Sequence, residues 1–204
     1  MSYDNFGFMF SIWLKFFFLF TPFFALTMFL STTKAYTESQ RRRLAIQVAC
    51  YVTILCIALF FFGNVVFAIF GITLDAFRVG AGALLFLSAV RLVKAEEDPS
   101  IQSPNEDIAV VPLAIPVVVG PATVGALLVL GGEITDATQR ILGCVALIVA
   151  GISLGLILFL GSAFERALGR RGINILSKIT GLVLAALAAQ MLLTGVQHFF
   201  AQNN

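Results

Sequence analysis

The residues best placed to do chemistry in this chain are helix breakers, not reactive side chains. The segment VPLAIPVVVGPATVGALLVLGG (111–132) holds Pro112, Pro116, Gly120 and Pro121 inside one apolar run. An interior proline removes a backbone hydrogen bond and clashes with the preceding turn, which costs about 3 kcal/mol in a helix interior. Gly120 relieves the restriction that Pro121 places on the residue before it. A break at 116–121 frees carbonyls on one side and amides on the other. The half-helix that restarts around Ala122 and Thr123 offers N–H groups and a positive dipole end to a carboxylate. Thr21-Pro22 is a matching break earlier in the chain, with Thr27 shortly after it. A lone proline in a membrane helix is most simply a kink whose backbone groups neighbours re-satisfy. Two breaks at matching places point instead to a binding site.

Few other polar residues interrupt the apolar runs. Asn64 and Ser162 each follow a glycine of a matched pair (Gly63 and Gly161) and are expected to line one layer of the same site. The plainer role for such residues is an interhelical hydrogen bond, worth about 1 kcal/mol. The candidate substrate-binding set is therefore Thr21, Pro22, Thr27, Asn64, Pro116, Gly120, Pro121, Ala122, Thr123 and Ser162. The middle of the spans lacks carboxylates, Asp75 and Glu165 falling at helix ends, which favours a neutral or zwitterionic solute. Lys15, Arg78 and Arg140 are expected to snorkel toward the interfaces. The single histidine, His198, sits at the C-terminal edge, with no HExxH, paired aspartates or Ser–His arrangement, so an enzyme is not expected. Cys50, Cys56 and Cys144 lack metal-ligand spacing and read as small packing residues, and neither metal nor cofactor is expected.

These breaks must be carried by membrane helices. The 204 residues are 59% hydrophobic and only 12% charged, with mean hydropathy +0.98. A soluble domain carries about 25% charged residues, so this chain has too little polar surface to cover a globule in water. A net charge of +2 gives no case for a nucleic-acid partner. Spans are expected at 10–31, 45–70, 77–93, 109–132, 141–164 and 178–199. Each approaches or exceeds the roughly 20 residues that cross a bilayer. Backbone groups in lipid must be satisfied within the segment, so the spans are helices and the class is all-α. The acidic N-terminal stretch with its long apolar run does not read as a cleavable signal. Loops one, three and five, with the span ends that adjoin them, carry ten of the 13 Lys and Arg residues, against three elsewhere. The excess of cations marks the cytoplasmic face and puts both termini outside, on the periplasmic side.

The chain also resembles itself. Pro22 and Pro121 lie 99 residues apart, as do Gln40-Arg41 and Gln139-Arg140. Gly63 pairs with Gly161 and Gly71 with Gly169 at an offset of 98, and Arg78 pairs with Lys178 at 100. The chain thus reads as one membrane domain, 1–204, of two three-helix repeats, 10–94 and 109–200, joined by an acidic cytoplasmic linker at 95–108. Three helices is an odd number, so the second repeat enters the membrane inverted. Inverted repeats that rock about a midplane site are a recurring plan for secondary transporters.

At these motifs the chain resembles the MarC family of bacterial integral membrane proteins, also described as SnatA-type small neutral amino acid transporters. VPLAIPVVVGPATV (111–124) is similar to that family's helix-4 motif, and FGITLDAFRVGAGALLFLSAVRLV (70–93) and KITGLVLAALAAQMLLTGV (178–196) to those of helices 3 and 6. In helix 1 the family's usual Asp- or Asn-Pro, glycine and second proline are replaced here by the run Thr21-Pro22-Phe23-Phe24-Ala25-Leu26-Thr27. The resemblance implies a multi-pass protein of the bacterial inner membrane. It would take up or exchange a small neutral amino acid, such as glycine or alanine, held near the midplane between broken helices 1 and 4. A coupling ion, Na+ or H+, and assembly into a homo-oligomer are compatible with that plan. The competing reading is a channel or an exporter of other small solutes.

Overall fold

A computed structural model describes residues 2–94, 118–134 and 136–202, without the side chains of 2–5, Asn64 and Gln202. The expected linker at 95–108, Pro112, Pro116 and the side chain of Asn64 lie outside the described residues. In chain order the helices are α1 (Ser2–Leu19), α2 (Pro22–Thr32), α3 (Glu38–Phe70) and α4 (Leu74–Lys94). They are followed by α5 (Pro121–Glu133), α6 (Ala137–Phe159) and α7 (Gly161–Gln202). No strand occurs among the described residues, so the all-α membrane class holds. Among the described residues five stretches are long and apolar enough to cross a bilayer: Phe6–Thr32, Glu38–Gly63, Leu74–Lys94, Ala137–Phe159 and Gly161–Ala201. The described part of the fourth expected span is the shorter apolar helix Pro121–Glu133. Large apolar side chains such as Ile54, Ile69, Ile141, Leu182 and Leu193 face outward, which only a lipid surround makes favourable.

The first span is broken where the sequence places the break. Phe20 N donates to Phe16 O at 3.0 Å, and Thr21 N to Phe18 O at 3.0 Å, so the ladder tightens by one residue before it ends. Pro22 cannot donate, and Thr21 adopts a left-handed conformation, φ 46° and ψ 54°. It is the only non-glycine with positive φ among the described residues, an expensive place for a β-branched side chain. Ala25 N then donates to Thr21 O at 2.9 Å and α2 begins.

The remaining boundaries also follow local chemistry. Thr37 and Gln40 form a capping box at the start of α3. Asp136 caps α6 by accepting from Gln139 N at 2.9 Å. Helix α3 ends at Gly71, φ 62°, a left-handed cap that suits glycine. The expected fifth loop, around Glu165 to Gly172, is not a loop. Helix runs on both sides of a single non-helical residue, Gly169 at φ 64° and ψ 170°, and the Arg170 to Glu165 ion pair bridges the kink at 3.1 Å. Polar and charged residues there read as a loop, yet a glycine with positive φ redirects the chain in one step.

Helices α3 and α6 run antiparallel. Gly155 lies against Ala49, Gly151 against Thr53 and Gly143 against the Phe60 ring. Helices α4 and α7 are also antiparallel, with Gly82 against Ala188 and Leu192, Gly181 against Ala89 and Leu92, and Gly195 against Asp75 and Val79. Small residues let these backbones approach, and dispersion across the close contact holds helices together where lipid supplies no hydrophobic drive. Around these pairs sits a core that includes the fully buried Phe16, Phe20, Leu26, Phe29, Phe60 and Leu127. Trp13 Nε1 donates to Ser153 Oγ at 3.3 Å and ties α1 to α6.

Candidate functional site

At the second break Gly120 is extended, φ −77° and ψ 174°, and Pro121 opens α5. Val124 N donates to Gly120 O at 3.0 Å. Ala122 and Thr123 are buried, and the Thr123 hydroxyl donates back to Val118 O at 3.1 Å, which steadies the break. Gly120 and Pro121 face an apolar cleft of about 860 Å³ against Ile72, Phe77 and Ala81 of the α3–α4 corner. Thr27 points elsewhere. Its hydroxyl donates to Phe23 O at 3.0 Å, and it lines a cavity of about 210 Å³ with Leu30, Ser31, Glu165, Arg170 and Asn174. Ser162 is half-buried at the start of α7, where its carbonyl accepts from Arg166 Nε at 3.2 Å. Thr21 and Pro22 line neither of these spaces. The structure therefore keeps the two breaks, and the described members of the expected binding set fall at separate places, Gly120 and Pro121 at one cleft and Thr27 at another.

A third cavity, of about 240 Å³, collects charge instead. Its polar lining comes from Lys15 on α1, Arg78 on α4, Glu133 on α5, and Gln190 and Thr194 on α7. Leu19, Leu85, Ala126 and Val129 supply apolar wall. Arg78 does not snorkel: it is 5% exposed. Its Nη1 donates to Asp75 Oδ1 at 2.6 Å, and its Nη2 and Nε donate to Glu133 Oε1 at 2.6 and 3.0 Å. His198 Nδ1 stands 3.3 Å from both Arg78 Nη1 and Asp75 Oδ1. Burial of this arginine is tolerable because two carboxylates on different helices take up its planar fork of donors. Asp75 and Arg78 are three residues apart on one helix, a spacing that signals a pair. Glu133 lies 55 residues from Arg78, and no sequence spacing reveals that contact.

Several features recur at the repeat offset. Arg41 Nε donates to Thr33 O at 2.9 Å, at the end of α2. Arg140 Nη2 donates to Ile134 O at 2.9 Å, at the end of α5. Neither arginine is free at the interface; each closes the C-terminus of the half-helix that follows a break. Gly161 packs against Leu26 and Leu30 of α2, and Gly63 against Leu128 and Gly132 of α5. Gly71 and Gly169 are the described glycines with positive φ. Thr27, Leu30 and Ser31 of the second cavity become Ala126, Val129 and Leu130 of the third on adding 99.

The sequence profile described as "MarC family integral membrane protein" matches residues 6–200. A UPF0056 membrane protein of Methanocaldococcus jannaschii is 32% identical over 184 residues, covering 86% of this chain and 89% of that protein. A UPF0056 membrane protein of Aquifex aeolicus is 30% identical over 185 residues, covering 87% and 86%. The UPF0056 inner membrane protein YhgN of Escherichia coli K12 is 31% identical over 175 residues, covering 84% and 87%. No solved structure matches the chain. A profile that spans nearly the whole chain, relatives of matching length and a bundle of apolar helices agree: the chain belongs to the MarC family of integral membrane proteins.

Proposed function

We propose that this protein is a secondary transporter of small neutral amino acids, built from two inverted three-helix repeats that expose one site to each side of the membrane in turn. The observation that carries this reading is the duplicated broken helix. Each break, Thr21-Pro22 and Gly120-Pro121, is followed by a short helix seated on a glycine and closed by an arginine of the next helix. The antiparallel courses of α3 with α6 and of α4 with α7 support an in-plane two-fold relation between the halves. Broken helices forfeit backbone hydrogen bonds, a cost with little purpose in a passive scaffold. Two repeat-related cavities, one beside each half-helix, suit a protein that opens alternately to two sides. The breaks serve as the places where half-helices tilt, and the substrate sits between the first and fourth spans.

Counterflow in proteoliposomes preloaded with unlabelled glycine or alanine tests the proposal. Transient accumulation of the labelled amino acid above empty liposomes is expected. Equilibration without overshoot would make the protein a channel, and no entry of any small amino acid would overturn the proposal.

A further inference from the structure

We infer that the charge-lined cavity between α1 and α5 holds the substrate as a zwitterion, its carboxylate on the Lys15 ammonium and its amino group on Glu133; this rests on the transport reading above. Lys15 is half-buried on an otherwise apolar stretch of α1, and its ammonium makes no hydrogen bond or ion pair among the described residues. A cation drawn from water in this way calls for an anionic partner. Glu133 engages Arg78 through Oε1 alone, which leaves Oε2 open to an ammonium. Arg78, with Asp75 behind it, holds the Glu133 carboxylate at the cavity wall.

Around the cavity two cations, Lys15 and Arg78, stand against two carboxylates, Asp75 and Glu133. A zwitterion enters without disturbing that balance, whereas an anion or a cation leaves an uncompensated charge in a low-dielectric space. Leu19, Leu85 and Ala126 present apolar wall to the substrate's side chain in a cavity of about 240 Å³. The other repeat-related cavity has no such vacancy, because Glu165 and Arg170 pair with each other at 3.1 Å. Lys15 precedes the first break and Glu133 follows the second, so a bound zwitterion links the two halves and its binding bears on their relative tilt.

The test is equilibrium binding of labelled glycine to the full-length protein in detergent. Lys15→Met should raise the glycine Kd about tenfold or more, the value of one charge-assisted hydrogen bond. Lys15→Arg, which restores the cation, should recover most of the affinity, a rescue that a merely structural role would not produce. Glycinamide, which lacks the carboxylate, should compete poorly with the native protein. Native affinity in Lys15→Met, in a protein that still performs glycine counterflow, overturns the site alone. A native protein that neither binds nor exchanges glycine overturns the transport reading and the site with it. If Lys15→Met and Lys15→Arg lose binding equally, the charge of Lys15 is not the anchor and the inference fails.

Discussion

Arg78 is the residue on which the polar interior depends. It neutralises two carboxylates, and its removal leaves the buried Asp75 with only the His198 ring beside it. Breaking a buried ion pair by deleting one partner typically costs about 3–5 kcal/mol. Arg78→Leu should therefore lower the thermal unfolding midpoint in detergent by many degrees, and the added substitution Asp75→Asn should recover part of the loss. A midpoint unchanged from the native protein would mean that water reaches the cluster freely. Thr21 has a different character. Its left-handed backbone is dictated by the break, not by any side-chain bond, since its N–H is taken by Phe18 O and its carbonyl by Ala25 N.

The elements are joined by close approach of small residues, and the environment of each glycine decides how much it matters. A Cβ at Gly63 would stand 2.5 Å from the Leu128 carbonyl oxygen, a backbone atom that cannot rotate away. A Cβ at Gly161 would stand 3.0 Å from Leu26 Cδ1, the end of a flexible side chain. Gly63→Ala should accordingly destabilise by about 1–3 kcal/mol, the range for overpacking. Gly161→Ala should cost clearly less, both being read from thermal unfolding in detergent. Equal losses would show that α2 and α5 are seated with equal rigidity, against the geometry. The contrast also means that the half-helix α2 has more room to adjust than α5, so the two breaks are not mechanically equivalent. Their backbones differ too, left-handed at Thr21 and extended at Gly120.

For the whole molecule, the distribution of cations gives an orientation that can be measured. Loops one and three and the kink at Gly169 carry most of the Lys and Arg, so the positive-inside rule predicts these on the cytoplasmic side and the termini on the other. In an Escherichia coli host, alkaline phosphatase fused after Asn204 should be active, and the same enzyme inserted after Thr37 inactive. The reverse pattern would invert the assignment of the Arg78 cavity, which lies near the C-terminal end of α7, from the outer to the inner face.

How much of this was legible in the residues follows from the range of the forces involved. Lipid leaves the backbone no partner but itself, so apolar run length alone pointed to membrane helices. Proline and glycine act through their own dihedral angles, so the breaks at Thr21-Pro22 and Gly120-Pro121 and the cap at Gly71 could be read locally. Local reading failed where polar residues imitate a loop, as around Gly169. It failed also where a charge finds its partner across the bundle. Arg78 sits near a helix end and so looked like a snorkelling residue, and only the packing of α5 beside α4 brings Glu133 to it. The sequence by itself determined the membrane class, the helices and their breaking points, because those depend on neighbours in the chain. Which cavity each side chain faces was decided by tertiary structure alone, because helix rotation and contact depend on interhelical packing that no spacing within the chain encodes.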